Sequence, residues 1–194
     1  DRTEKIILLK QEIERLNINF LKPDINFSDS LFSIEINDNL KSIRFGLAAI
    51  KGVGIKSISS MVDERNKNGK FKSIIDFMNR VSKEVINKRQ LEKLIQAGAF
   101  DSIETNRSKL FNNVTKFVEL FGGEKNINQD MLFEENEISF KDKNLFNQNY
   151  EKWKNAEILS NELEVIGFYF SDHPLNHYPK KFFEFLHRKD HSGK

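Results

Sequence analysis

Ala48-Ala49-Ile50-Lys51-Gly52-Val53-Gly54-Ile55-Lys56-Ser57-Ile58 is written as a short apolar helix, a Gly-apolar-Gly turn and a second helix. That order is the pattern of a helix-hairpin-helix. The glycines allow a tight turn and let the backbone approach a ligand with no Cβ in the way. The amides of Gly52, Val53 and Gly54 are then expected to face outward at the start of the second helix, an anion site by geometry and dipole together. Lys51 and Lys56 flank it and suit a phosphate, a contact that positions a protein on nucleic acid without reading bases. A nucleotide P-loop is excluded, because Ala49 stands five before Gly54 and Ile55 follows it. A dinucleotide fingerprint fails as well, with Ser57 where the third glycine belongs. A plain packing unit with a glycine cap remains open.

Working outward, helix signals run from Gly46 to Phe121. Ile55, Ile58, Val62 and Arg65 recur at helical spacing up to Asn66, Asn68 and Gly69. Ser73 with Asp76 resembles a capping box opening the helix of Ile74, Phe77, Met78 and Val81, and Asn87 with Gln90 repeats it before Leu91, Leu94 and Ile95. Asn106 is placed to cap a last helix bearing Leu110, Val114, Phe117 and Phe121. Leu91-Glu92-Lys93-Leu94-Ile95-Gln96-Ala97-Gly98-Ala99-Phe100-Asp101 suggests a second hairpin that keeps one glycine, Gly98, and has Phe100 in place of the other. A tandem pair of hairpins would grip both backbones of a duplex across its minor groove. The alternative is a four-helix packing unit with one DNA-facing loop.

Toward the N-terminus, Ile6, Leu9, Ile13 and Leu16 predict a helix over 4–16. Asn17, Asn19, Pro23, Asp24 and Asn26 mark an irregular connection. Phe32, Ile34 and Ile36 alternate with polar residues, Asn37-Asp38-Asn39 turns, and Ile43 and Phe45 alternate again, which reads as a β-hairpin. Toward the C-terminus, helical periodicity returns at Trp153, Ala156, Leu159, Leu163, Ile166 and Phe170. The fold class is therefore mainly α: a tandem helix-hairpin-helix with a small β-hairpin near the N-terminus and a flexible polar loop.

The chain has 194 residues, 38% hydrophobic and 31% charged, a composition of folded rather than disordered proteins. It has no cysteine, which removes disulfides, thiolate metal sites and cysteine nucleophiles. No run of 18 apolar residues is present to span a membrane. Asp1-Arg2-Thr3-Glu4-Lys5 has neither a signal-peptide pattern nor an initiator methionine, as expected of a piece of a longer chain. The net charge of +2 hides an asymmetry. Residues 1–123 carry 21 basic and 16 acidic side chains, residues 124–194 carry 10 and 13, and Lys41–Lys93 alone carry 13 and 5. The basic excess lies around the first hairpin, where a polyanion would bind. His173 and His177 are four apart, but Pro174 lies between them and no third ligand is placed, so a packing or capping role is expected and no metal. The carboxylates are scattered with no pair in an apolar frame, which leaves acid–base chemistry without a candidate.

The polar stretch 124–149 holds Gln129-Asp130-Met131-Leu132-Phe133, three consecutive apolar residues in an acidic, Asn-rich tract with no helical or strand period. The Gln-x-x-Leu-Phe spacing matches the short peptide by which many proteins dock on the bacterial sliding clamp. Leu132 and Phe133 would fill an apolar pocket at roughly 1.5–3 kcal/mol each, Gln129 would hold the register, and ordering of the segment would leave an affinity of about 1 μM. A loop tucking Leu132 and Phe133 onto its own domain is the other reading.

Phe45-Gly46-Leu47-Ala48-Ala49-Ile50-Lys51-Gly52-Val53-Gly54, Gly69-Lys70-Phe71 leading to Asp76-Phe77, Ile86-Asn87-Lys88-Arg89 and Gly98-Ala99-Phe100-Asp101 occur in the order seen in the alpha subunit of bacterial DNA polymerase III, the C-family replicative polymerase. Ile166-Gly167-Phe168-Tyr169-Phe170-Ser171-Asp172-His173-Pro174-Leu175 resembles that family's sequence just before its OB-fold, and Pro23-Asp24-Ile25-Asn26 resembles the end of its fingers. Only residues 112–128 and 138–152 look generic. The resemblance implies the end of the fingers with the β-hairpin over 1–45, a tandem helix-hairpin-helix DNA-binding domain over 46–123, a flexible segment with the clamp motif Gln129–Phe133 over 124–150, and a helical connector toward an absent OB-fold over 151–194. It implies double-stranded DNA bound through Lys51, Gly52, Val53, Gly54, Lys56 and Gly98, docking on the beta sliding clamp, other holoenzyme subunits bound through absent regions, no membrane, and a cytoplasmic location. The family's three catalytic aspartates and their Mg2+ belong to a palm absent from this chain, so the segment carries no cofactor and is not expected to polymerise. A helix-hairpin-helix module of a DNA repair enzyme is the alternative from another class, and a protein–protein scaffold without salt-dependent DNA binding is a third.

Overall fold

The computed structural model describes residues 2–37, 40–81, 84–121 and 149–172. Helix α1 (Arg2–Arg15) buries Ile6 and Ile13, two turns apart, while Leu9 and Leu16 of the expected inward stripe stay largely exposed. Asn17 takes a left-handed turn at φ 53°, a conformation asparagine tolerates better than most side chains. The chain then enters a strand that the sequence reading treats as irregular connection: β1 (Asn19–Leu21) pairs in parallel with β3 (Leu40–Arg44), Phe20 opposite Ile43. The expected hairpin is present as β2 (Ser33–Asn37) antiparallel to β3, Ile34 opposite Ile43, giving the order β1-β3-β2. Its base is aromatic. Phe45 is fully buried and meets Phe32 edge-on at 5.0 Å, and Phe20 lies 5.8 Å from Phe168 and 5.2 Å from Phe170.

A 3-10 turn (Leu47–Ala49) and α2 (Ile55–Asn68) enclose the Gly52–Gly54 turn. α3 (Ile74–Arg80) starts at Ser73, whose hydroxyl accepts from the Asp76 amide at 3.1 Å. α4 (Lys88–Gln96) starts at a complete Asn87/Gln90 capping box, and α5 (Arg107–Phe121) starts at Asn106, whose side chain accepts from the Lys109 amide. α6 (Asn155–Val165) is the last element among the described residues. One buried cluster runs from Ile6 through Phe77, Leu94 and Phe117 to Phe168, so the segments 1–45, 46–123 and 151–172 share a core. The fold is mainly α.

The Pro23–Asn26 segment is tied into this core by polar bonds. Asn26 donates to the Phe71 carbonyl at 2.9 Å and accepts from its amide at 2.8 Å, the Ile25 amide reaches the Ala99 carbonyl, and buried Arg65 donates to the Ile25 and Ser28 carbonyls. Buried peptide groups need such partners. Among the described residues no helix is long and apolar enough to cross a membrane.

Candidate nucleic-acid interface

The first hairpin is open. Gly52 takes φ +82°, and a Cβ there would meet only Lys93 Cγ at 3.6 Å, an ordinary contact. Gly54 is the N-cap of α2 and supplies no side-chain cap. The first-turn amides of α2 are thus left to solvent or a ligand, as helix starts are unless a side chain satisfies them. The flanking Lys51 and Lys56 are exposed. The expectation of three outward amides needs correction at Val53: its amide donates to the Ile50 carbonyl at 3.2 Å, and its side chain is buried as a plug under the turn. The Lys51 amide donates to the Val165 carbonyl at 2.8 Å, which fastens the turn to the end of α6.

The second hairpin repeats the backbone plan, with Gly98 at φ +76°, but its turn is closed. Gly98 is buried, and a Cβ there would fall closer than 3.0 Å to Nη2, Cζ and Nε of Arg107. Phe100, which takes the place of the second glycine, is 1% exposed and stands edge-on to Phe77 at 5.0 Å. It is core, and Gly98 presents no open surface to a phosphate.

Arg107 is held by two carboxylates. Its Nε and Nη2 donate to Asp101 Oδ1 and Oδ2 at 2.9 and 2.7 Å, and its Nη1 donates to Glu162 Oε1 at 3.0 Å. Glu162 is wholly buried, a single carboxylate in the core where the sequence was read only for a pair. Glu162 Oε2 accepts from the Phe170 and Ser171 amides at 2.8 and 2.9 Å, and the Ser171 hydroxyl donates to Oε1. Lys22 adds a 2.8 Å bond to Asp101. Burial alone would raise the Asp101 pKa, but the hydrogen bonds and charge of Arg107, with Lys22, outweigh it and hold the carboxyl below its ordinary range. Arg107, which burial would lower, is raised by Asp101 and Glu162. The sequence reading missed this network because its bonded partners are up to 79 positions apart. The one visible signal was Glu162 lying between Leu159 and Val165 on the buried line of α6.

Gln129, Asp130, Met131, Leu132 and Phe133 lie outside the described residues, as do His173 and His177. Among the described residues no group of three or more His, Asp or Glu side chains is placed to hold a metal ion.

A helix-hairpin-helix motif family matches residues 17–110, which contain both turns. DNA polymerase III subunit alpha of Borreliella burgdorferi is 38% identical over 184 residues. The proteins of that name from Neisseria meningitidis serogroup A and Escherichia coli K12 are 37% and 33% identical over 182 and 187 residues. Each alignment covers 93% of this chain, and the chain spans 16% of the length of each of these relatives. With both glycine hairpins inside the family match and the alignments spanning 93% of its length, the chain belongs to the alpha-subunit family of bacterial DNA polymerase III, as a segment of it that contains the helix-hairpin-helix.

Proposed function

We propose that this chain is a noncatalytic segment of a replicative polymerase that holds duplex primer-template DNA at its first hairpin and docks on a ring-shaped sliding clamp through Gln129–Phe133. The observation that carries the DNA half is the open Gly52–Gly54 turn at the uncapped start of α2, with Lys51 and Lys56 exposed beside it. Backbone donors flanked in sequence by two exposed lysines favour a phosphate, and the excess of 13 basic over 5 acidic side chains in Lys41–Lys93 raises the local potential. Such contacts bind any duplex, as a polymerase needs behind a moving primer end. The clamp half is supported by the spacing of Gln129, Leu132 and Phe133, which matches short clamp-docking peptides.

Duplex binding measured by fluorescence anisotropy across a salt series tests the first half. Lys51→Glu should weaken binding alike on unrelated sequences and reduce the slope of log K against log salt by about 0.9 per lost phosphate contact. An unchanged slope overturns the hairpin assignment. For the second half, Leu132→Ala with Phe133→Ala should abolish calorimetric binding to the cognate clamp while helical circular dichroism is retained. Wild-type affinity in that variant removes the clamp assignment.

A further inference from the structure

The second hairpin has no open turn, yet its first helix runs beside the open turn of the first. Gln90 Nε2 donates to Ser57 Oγ at 3.2 Å and stands 3.4 Å from where a Cβ on Gly54 would be. Lys93 Cγ stands 3.6 Å from the corresponding point on Gly52. Arg89 precedes Gln90 and lies one turn before Lys93. At 3.6 residues per turn its side chain leaves α4 about 40° around the axis from that of Lys93 and about 100° from that of Gln90.

The cations of α4 differ in what holds them. Lys93 Nζ is bonded to Glu164 at 2.6 Å and to Gln96 at 3.0 Å, and Lys88 Nζ reaches Thr115 Oγ1 at 2.9 Å. Arg89 is exposed and has no ion pair or hydrogen bond among the described residues. An unengaged guanidinium presents a planar fork of donors that fits two oxygens of one phosphate, which an ammonium cannot match.

We propose that Arg89 is a phosphate ligand of the duplex. In this arrangement the two hairpins form one composite site, made of the Gly52–Lys56 turn and Arg89 of α4, in place of two equivalent glycine turns. Gly98, buried under Arg107, has a structural part only. The proposal rests on the duplex-binding reading above and assigns a second element to that site.

The test compares the wild-type chain with Arg89→Ala, Arg89→Lys, Lys56→Ala and Lys67→Ala on one labelled duplex, between 50 and 200 mM salt. Arg89→Ala should lose about 0.9 from the salt slope, so that its affinity deficit shrinks by about 3.5-fold across that range. Arg89→Lys should recover the slope and only part of the affinity. Lys67→Ala, at the far end of α2, should keep the wild-type slope. If Lys56→Ala flattens the slope and Arg89→Ala does not, Arg89 is no ligand and the hairpin reading stands. If neither variant alters the slope, or the wild type shows no salt-dependent duplex binding, the hairpin reading falls and the composite site with it.

Discussion

Placing one methyl group on each of the two left-handed glycines should separate their roles. Gly52 and Gly98 have nearly the same backbone, φ +82° and +76°, so Gly→Ala carries the same left-handed penalty at both, about 1–2 kcal/mol. At Gly52 nothing is added, since Lys93 Cγ stands at an ordinary contact distance. At Gly98 the Cβ displaces the Arg107 guanidinium. A free arginine end would swing aside at small cost, but this one is bonded to Asp101 twice and to buried Glu162. Displacing it leaves a buried carboxylate without its partner, a loss of about 3–5 kcal/mol. Gly98→Ala should therefore cost about 4–7 kcal/mol, against a total stability for such domains of about 5–15 kcal/mol. Urea unfolding followed by circular dichroism reads both variants on one scale. Costs within about 1 kcal/mol of each other would show that Arg107 does not depend on the space above Gly98.

Two further outcomes arise from this network and from the other partly buried carboxylates. Stability should fall on acidification. Asp101, Glu104 and Glu35 are all held below their ordinary range, so their contribution is complete above about pH 5 and is lost as pH drops through their lowered folded values. Asp24, raised chiefly by burial, works in the opposite direction and offsets part of that loss. Urea midpoints from pH 7 down to pH 3 should decline, with a shallower decline in Asp101→Asn, and a flat wild-type profile refutes the argument. Glu162→Gln should expose the Phe170 and Ser171 amides, which the carboxylate now binds at 2.8 and 2.9 Å, to faster hydrogen exchange than amides in α2. Equal protection in variant and wild type would show that Glu162 does not hold that segment.

What was legible in the sequence was local. Asn87 and Gln90 are three apart and cap one another, Ser73 caps α3, Asn106 caps α5, and β2 and β3 pair although only two residues separate them in sequence. Each signal is complete within a few positions. β1 was not legible, because Asn19–Leu21 is too short to show a period and becomes a strand only when β3 arrives beside it from residues 42–44. Glu162 was not legible for a related reason. The apolar positions assigned to α6 included Leu163, which is 44% exposed, whereas the helix turns Leu159, Glu162 and Val165 inward because Arg107 waits there. Of the candidate site, the open turn and its lysines were readable, while the closure of Gly98 depended on a side chain nine residues on and its partner in a later helix.

One glycine turn opens and its repeat closes because the chain leaves the two by different routes. After Gly54, α2 begins at once, so its uncapped amides meet the turn, and the neighbouring lysines face solvent. After Gly98, residues 99–106 intervene before α5, long enough to bring Arg107 back over the glycine. There Asn106 already satisfies a first-turn donor of α5, and Asp101 and Glu162 balance the charges of Arg107 and Lys22. A balanced, buried cluster has little field left for a polyanion, whereas the first turn keeps both donors and charge. The closed hairpin braces the open one through α4 against Gly52 and Gly54, and through α6, whose Val165 carbonyl holds the Lys51 amide. Damage at Gly98 should then show in unfolding before it shows in duplex affinity, and damage at Lys51 in affinity before unfolding.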